Sequence, residues 1–236
     1  MLTEAIVLAG GMGTRLRPVV SDLPKPMAPV RGRPFLAFVL DYLAREGVRS
    51  VVLAVGYKWE SIQVQFGSKY GPLRLQYAVE TAPLGTGGGM RLALEQTVGD
   101  SVLALNGDTF FPAALDPLTR LHEAAGADMT LALKRMERCE RYGTLQLDTG
   151  GPLDTTGRIT GFAEKGTVEQ GLINGGIYAI RRELLREWEL GRAFSIEKDV
   201  LEKLAPARKF MGMAFDTYFI DIGIPEDYAR AQEELP

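Results

Sequence analysis

Two hydrophobic rhythms alternate along the first half of the chain. "EAIVLA" is an unbroken apolar run that halts at glycine, the pattern of a strand buried on both faces. "RPFLAFVLDYLAREGV" then places Leu36, Val39, Leu40 and Leu43 on one helical stripe, and Gly47 supplies a stop. "SVVLAV" predicts a second buried strand, "KWESIQVQFG" a short helix and "LRLQYAVE" a third strand. "TGGGMRLALEQTV" predicts a helix that opens on glycines, and "SVLALN" a fourth strand. Such alternation predicts a Rossmann-like α/β fold: a mixed, mainly parallel sheet with helices on both faces.

The second half is less regular. "LTRLHEAAGAD" has helical spacing, "ADMTLALKRM" and "GTLQLD" predict strands, and "LDTTGRITGFAEKG" predicts a hairpin-like turn near Thr156 and Gly157. "GLINGGIYAIRRELLREWEL" runs from strand into helix. "AFDTYFIDIGIPEDYARAQEEL" predicts a strand, a turn and a last helix begun by Pro225. No linker, repeat or low-complexity tract divides residues 1–236. A single domain is expected, its second half extending the sheet of the first.

Composition narrows the chemistry. The 236 residues are 46% hydrophobic and 24% charged, an ordinary globular balance with room for a substantial core. A net charge of -3 argues against a nucleic-acid partner. One cysteine, Cys139, excludes an internal disulfide. One histidine, His122, leaves little for a zinc cluster or a Ser-His-Asp triad. His122 is expected on a helix surface and Cys139 as a structural or semi-exposed thiol. Neither a signal peptide nor a membrane span is legible, so a cytoplasmic protein without a membrane partner is expected.

The chemistry concentrates in "LAGGMGTRLRPVVSDLPKPMAPV", from Leu8 to Val30. In a doubly wound sheet, ligands bind beyond the C-terminal strand ends, where strand order reverses. This loop follows the first strand, and "NGDTFF" follows the fourth. A 3-2-1-4 strand order would bring both to one crevice. The loop matches neither G-x-x-x-x-G-K-[ST] nor G-x-G-x-x-G, since Leu16 stands where a third glycine belongs. Gly10, Gly11 and Gly13 would nevertheless let backbone N–H groups close on an anion. Arg15 adds a forked donor and Lys25 a point charge, with Pro24 and Pro26 stiffening the chain around it.

"LAGGMGTRL" followed by "LPKPM" resembles the signature of the sugar-1-phosphate nucleotidyltransferases, the nucleotide-sugar pyrophosphorylases. The resemblance spans essentially the whole chain and implies the nucleotide-diphospho-sugar transferase fold. Residues 1–115 would form the nucleotide-binding half and residues 116–236 the sugar-phosphate-binding half. In such enzymes a sugar 1-phosphate oxygen attacks the α-phosphorus of a nucleoside triphosphate, and pyrophosphate leaves. The protein must align two polyanions and neutralise charge as it builds.

The resemblance implies that Leu8, Ala9, Gly10, Gly11, Gly13, Thr14 and Arg15 bind nucleotide. Arg15 would hold the leaving pyrophosphate, and Lys25 the α-phosphate or the sugar phosphate. Asp108 in "LNGDTF" and Asp221 in "FIDIGIPEDY" match the family's two Mg²⁺ aspartates, and Mg²⁺ usually takes only one or two carboxylates. Glu164 and Lys165 in "FAEKG" stand where the family binds sugar hydroxyls and phosphate, with glycine replacing the usual proline. Gly143 in "RYGTL" and Asn174 and Gly175 in "INGGIY" match sugar contacts. Relatives often associate, so a homo-oligomer is a further expectation.

"VETAPLGTGGG" aligns with the base-recognition segment. Glu80 stands where thymidylyl- and uridylyltransferases tend to carry glutamine. A carboxylate only accepts hydrogen bonds, which suits guanine's adjacent ring N–H and amino donors. GTP is therefore expected, with Gly85 and Thr86 lining the base pocket; dTTP, UTP and CTP are alternatives. "VVSDLPKPMAPVRGRPFL", "VGY" and "ETAPLGTGGG" together look closest to guanylyltransferases of D-glycero-α-D-manno-heptose 1-phosphate. Mannose 1-phosphate is the nearest competitor. A glycosyltransferase is disfavoured because Thr109 and Phe110 follow Asp108, leaving no D-x-D metal motif. A non-catalytic nucleotide-sugar-binding subunit is disfavoured by the presence of Lys25, Asp108 and Asp221 together.

Overall fold

The computed structural model describes the chain except for residues 12, 14, 17, 18, 21, 22, 138, 140, 150–154, 164–169 and 236. In chain order the strands are β1 (Glu4–Leu8), β2 (Pro29–Val30), β3 (Arg33–Pro34), β4 (Ser50–Val55), β5 (Lys69–Tyr70), β6 (Leu73–Val79) and β7 (Ser101–Asn106). They continue as β8 (Thr109–Phe110), β9 (Met129–Met136), β10 (Thr144–Asp148), β11 (Thr156–Ala163), β12 (Gly171–Arg181), β13 (Phe210–Phe215) and β14 (Ile220–Asp221). The helices are α1 (Phe35–Arg45), α2 (Trp59–Phe66), α3 (Gly85–Leu94), α4 (Leu115–Ala125), α5 (Arg182–Arg186), α6 (Glu202–Leu204) and α7 (Pro225–Glu234). A π-helical stretch, Ile196–Leu201, runs into α6.

One ten-stranded sheet carries both halves, in the order β10-β11-β13-β9-β12-β7-β1-β4-β6-β5. β7, β1, β4 and β6 are mutually parallel, and β1 pairs directly with β7 as the expected order requires. The second half is mixed: β12 runs antiparallel to both β7 and β9, while β13 is parallel to β9.

Alternation along each strand feeds two cores. Ala5 and Val7 of β1 and Val51, Leu53 and Val55 of β4 point to one face, under α1 and α2. Ile6, Val52 and Ala54 point to the other, under α3 and the π-helical stretch. In α1, Phe35, Leu36, Leu40 and Leu43 are fully buried, each worth about 1.5–3 kcal/mol relative to exposure. The helix ends at Glu46, and Gly47 takes the left-handed conformation that favours glycine.

Strand β12 forks the sheet. Its first residues pair with β10 (Ile173 with Thr144) and its last with β7 (Ile177 with Leu105). Between them a register shift at Asn174/Ile177 bends the strand. The shift lies beside the C-terminal end of β7, where Ile177 pairs with Leu105.

Two expectations are corrected. Thr156 and Gly157 are not a turn; they begin β11 and pair with Met213 and Gly212. A Cβ on Gly157 would meet the Asp148 carbonyl oxygen at 2.4 Å, so close strand contact, not turning, demands glycine there. His122 is not on the helix surface. It is 2% exposed, with Nδ1 3.1 Å from Thr130 Oγ1 and Nε2 3.1 Å from Ser101 Oγ. Thr130 is almost at the start of β9 and Ser101 begins β7, so this histidine lies at the sheet end opposite the strand C-termini. Cys139 is buried. Among the described residues, no helix is long and apolar enough to cross a membrane.

Candidate active site

The site begins where β1 and β7 end. Gly107 N–H donates to the Leu8 carbonyl at 2.9 Å, and a Cβ on Gly107 would meet that oxygen at 2.5 Å. This seats Asp108 directly beside the glycine loop. The antiparallel ladder of β8 and β14 then places Asp221 opposite Thr109, and Ile222 N–H donates to the Asp108 carbonyl at 3.0 Å. Two aspartates far apart in sequence thus flank one point.

Lys25 fills that point. Its turn, Lys25–Met27, is a single 3₁₀ turn whose Pro26 and Met27 are buried. Gly13, in the left-handed region at φ 56°, lies against the Lys25 side chain; a Cβ there would come within 2.9 Å of Lys25 Cβ. Lys25 Nζ lies 2.6 Å from Asp108 Oδ2 and 3.2 Å from Asp221 Oδ1, with only 10% of the lysine side chain exposed. Burial opposes its charge, but Asp108 and then Asp221 outweigh burial, so the ammonium holds its proton above the usual range. Burial and then the Asp108 charge raise Asp221, against the pull of Lys25 and the Gly223 N–H.

Two cavities meet here. The larger, of about 550 Å³, is lined by Leu8, Gly10, Gly11, Glu80, Gly85 and Thr86, together with Tyr57, Asn106 and Asp108. The smaller, of about 140 Å³, is lined by Arg15, Asn106, Gly143, Asn174, Glu197 and Asp221, with Arg141, Tyr142 and Asp227 at its wall. Every residue lining the larger lies within 1–115; the smaller draws on both halves. Asn106 is common to both, and the Asp108–Lys25–Asp221 group stands between them.

Glu80, just past β6, accepts Leu84 N–H through Oε2 at 3.1 Å. Burial raises its carboxyl, partly offset by that N–H. Its Oε1 occupies the space a Cβ on Gly89 would fill, at 2.6 Å. The glycines that open α3 are explained by crowding. A Cβ on Gly87 would strike the Phe194 ring, and one on Gly88 would lie 2.6 Å from the Arg192 carbonyl oxygen. The N–H groups of Gly87 and Gly88 are spent on the Phe194 carbonyl, at 3.0 and 3.3 Å.

The expected residues divide. Leu8, Gly10, Gly11, Glu80, Gly85 and Thr86 gather at the larger cavity, and Asp108 joins them there. Arg15 is placed at the smaller cavity. Ala9 is fully buried, its N–H on the Ala54 carbonyl at 2.7 Å. Gly143 and Asn174 reach the smaller cavity, though a Cβ on Gly143 would strike the Phe162 ring. A Cβ on Gly175 would meet the Phe111 ring and the Ala132 carbonyl. Thr14, Glu164 and Lys165 lie outside the described residues. Asn106, Arg141, Glu197 and Asp227 were not anticipated. Asn106 had a signal, a polar residue closing an apolar strand ahead of Gly107-Asp108. Glu197 had none, because no element was legible in its stretch.

The donor set suits a hard divalent ion. Two carboxylates converge, the number Mg²⁺ usually takes from protein. Among the described residues no group of three or more His, Cys, Asp or Glu is placed so that it could hold a metal ion.

The parallel half of the sheet bears at its strand ends a glycine loop, paired aspartates and a buried lysine between two joined cavities, a site suited to an enzyme that transfers a phosphorus group. The chain belongs to the nucleotidyl transferase family, whose model matches residues 4–236. Enzymes of this family generally use a divalent metal. The chain is 45% identical over 232 residues to D-glycero-alpha-D-manno-heptose 1-phosphate guanylyltransferase of Aneurinibacillus thermoaerophilus, covering 98% of each. It is 35% identical to mannose-1-phosphate guanylyltransferase of Mycobacterium tuberculosis, covering 98% of this chain and 64% of that one. The crystal structure of HddC from Yersinia pseudotuberculosis complexed with GMP-PN superposes with a TM-score of 0.84 at 31% identity, covering 100% of both chains.

Proposed function

We propose that the chain transfers GMP from GTP to the 1-phosphate of D-glycero-α-D-manno-heptose, giving GDP-heptose and pyrophosphate. The observation that carries this reading is the Asp108–Lys25–Asp221 group at the junction of two cavities, in a chain 45% identical over nearly its full length to a guanylyltransferase of that sugar phosphate. A sugar phosphate oxygen attacks the α-phosphorus of GTP, the bond from that phosphorus to the bridging oxygen breaks, and pyrophosphate leaves.

Each protein group has a role in this reading. The larger cavity takes the nucleoside, with Glu80 accepting from guanine and Gly10 and Gly11 lining the triphosphate path. Lys25 neutralises charge where the two phosphates meet, and Arg15 adds a forked donor beside it. Asp108 and Asp221 would hold Mg²⁺. When bound, that ion supplies charge stabilisation and a template for in-line displacement. Lys25, paired with both aspartates, would stand beside the phosphate oxygens. Gly143 and Asn174 face the sugar from the smaller cavity.

The test is pyrophosphate release by purified protein, with Mg²⁺ and a panel of sugar 1-phosphates crossed with GTP, dTTP, UTP and CTP. The expected best pair is GTP with the manno-configured heptose 1-phosphate. Mannose 1-phosphate preferred over heptose would favour the second reading, which the mannose-specific relative supports. Binding of nucleotide sugar without any pyrophosphate release would leave only a binding subunit.

A further inference from the structure

The smaller cavity holds three carboxylates, and two of them are already engaged. Asp221 is on Lys25 at 3.2 Å. Asp227 carries two arginines, Arg141 at 2.5 Å and Arg230 at 3.2 Å. Glu197 differs. Its Oε1 has one long contact, 3.4 Å from Asn174 Nδ2, and among the described residues no cation lies within ion-pair distance. Asn174 is itself held, donating to Tyr178 Oη at 2.6 Å and accepting from Gly176 N–H at 3.0 Å. A half-buried carboxylate in a polar cavity with spare acceptor capacity suits a ligand rich in O–H donors.

The backbone before Glu197 is stitched to the wall of the nucleoside cavity. Thr86 Oγ1 accepts Ile196 N–H at 3.0 Å. Phe194 N–H donates to the Leu84 carbonyl at 3.0 Å. Ser195 caps the π-helical stretch through Lys198 N–H at 3.2 Å, and Asp199 accepts Ser195 N–H at 2.9 Å. A residue of the nucleoside side thereby sets the position of a residue of the sugar side.

We infer that Glu197 is a specificity-determining residue that accepts hydrogen bonds from ring hydroxyls of the sugar, and that Thr86 is its positioning residue. The inference rests on the sugar-phosphate reading above. Losing a hydrogen bond to a charged acceptor translates to about 10- to 100-fold in affinity. Glu197→Ala is expected to raise KM for the sugar 1-phosphate by about that factor, with KM for GTP within about twofold. Glu197→Gln should fall between. A set of deoxy sugar phosphates should contain one that wild type handles as poorly as Glu197→Ala handles the full sugar, and to which the variant is indifferent. Thr86→Val should raise the sugar KM more than the GTP KM, and Thr86→Ser should restore it.

Several outcomes overturn the inference. One is an unchanged sugar KM in Glu197→Ala. Another is a parallel rise for both substrates with a lowered melting temperature, which marks a structural role. A Thr86→Val effect confined to GTP removes the positioning role. Wild-type protein active with mannose 1-phosphate instead of heptose is tested in the same way, since both present a manno ring. Wild type that releases pyrophosphate with no pair sinks the functional reading, and this inference with it.

Discussion

Glu80→Gln isolates base choice with a change of one atom. In the structure, Oε2 accepts Leu84 N–H at 3.1 Å, while Oε1 lies in the space cleared by Gly10 and Gly89. Guanine offers two adjacent donors, and both are met by an acceptor-only carboxylate. An amide that keeps its oxygen on Leu84 N–H must turn its NH₂ to where Oε1 was, so a donor then faces a donor. One charge-assisted hydrogen bond is worth about 1.5–3 kcal/mol, and a donor left unpaired costs a similar amount. Together they predict a loss on the order of 10²- to 10⁴-fold in kcat/KM for GTP. UTP and dTTP, whose edges both donate and accept, should lose less or gain. The fold should not suffer, because burial already disfavours the Glu80 charge and a neutral amide relieves that cost. The assay is pyrophosphate release with GTP, UTP and dTTP at a fixed sugar 1-phosphate, beside a thermal melt. A nucleotide ratio within twofold of wild type, or an equal fall for all three nucleotides, would refute the argument.

Asp108→Asn and Asp221→Asn should each lower kcat by about 10²-fold or more, since a bound ion supplies several kcal/mol of charge stabilisation. Asp221→Asn should keep or raise the melting temperature, because burial and the Asp108 charge both disfavour its ionised form; a variant with near-normal turnover would dissolve the metal assignment. His122 makes stability depend on pH. Burial, helped by Arg181, lowers its pKa from 6.5 to about 4, so between those values the unfolded chain binds a proton that the folded chain refuses. Stability should therefore fall as pH drops below about 6.5, by roughly 2 kcal/mol at pH 5 and about 3 kcal/mol below pH 4. Urea unfolding of wild type and His122→Asn at pH 7.5 and pH 5 checks this, and equal losses in the two proteins would contradict it.

What the sequence determined by itself is what short-range physics encodes. Apolar runs ending in glycine gave β1, β4 and β7, and helical stripes gave α1 and α4. The glycine loop, the proline-bracketed Lys25 and the two aspartates were legible as residue types suited to phosphate and metal. That Lys25 lies between Asp108 and Asp221 was decided by the β8–β14 ladder, a pairing of two-residue strands too short to carry any periodic signal. The smaller cavity lies beside the fork at β12, which depends on which strands claim its two ends. His122 became a core residue because Thr130 and Ser101, from two different strands, satisfy both ring nitrogens. Glu197 reaches the smaller cavity with Thr86 and Leu84 holding the segment before it. Local pattern sets which residues face inward; only the pairing of distant segments decides what they face.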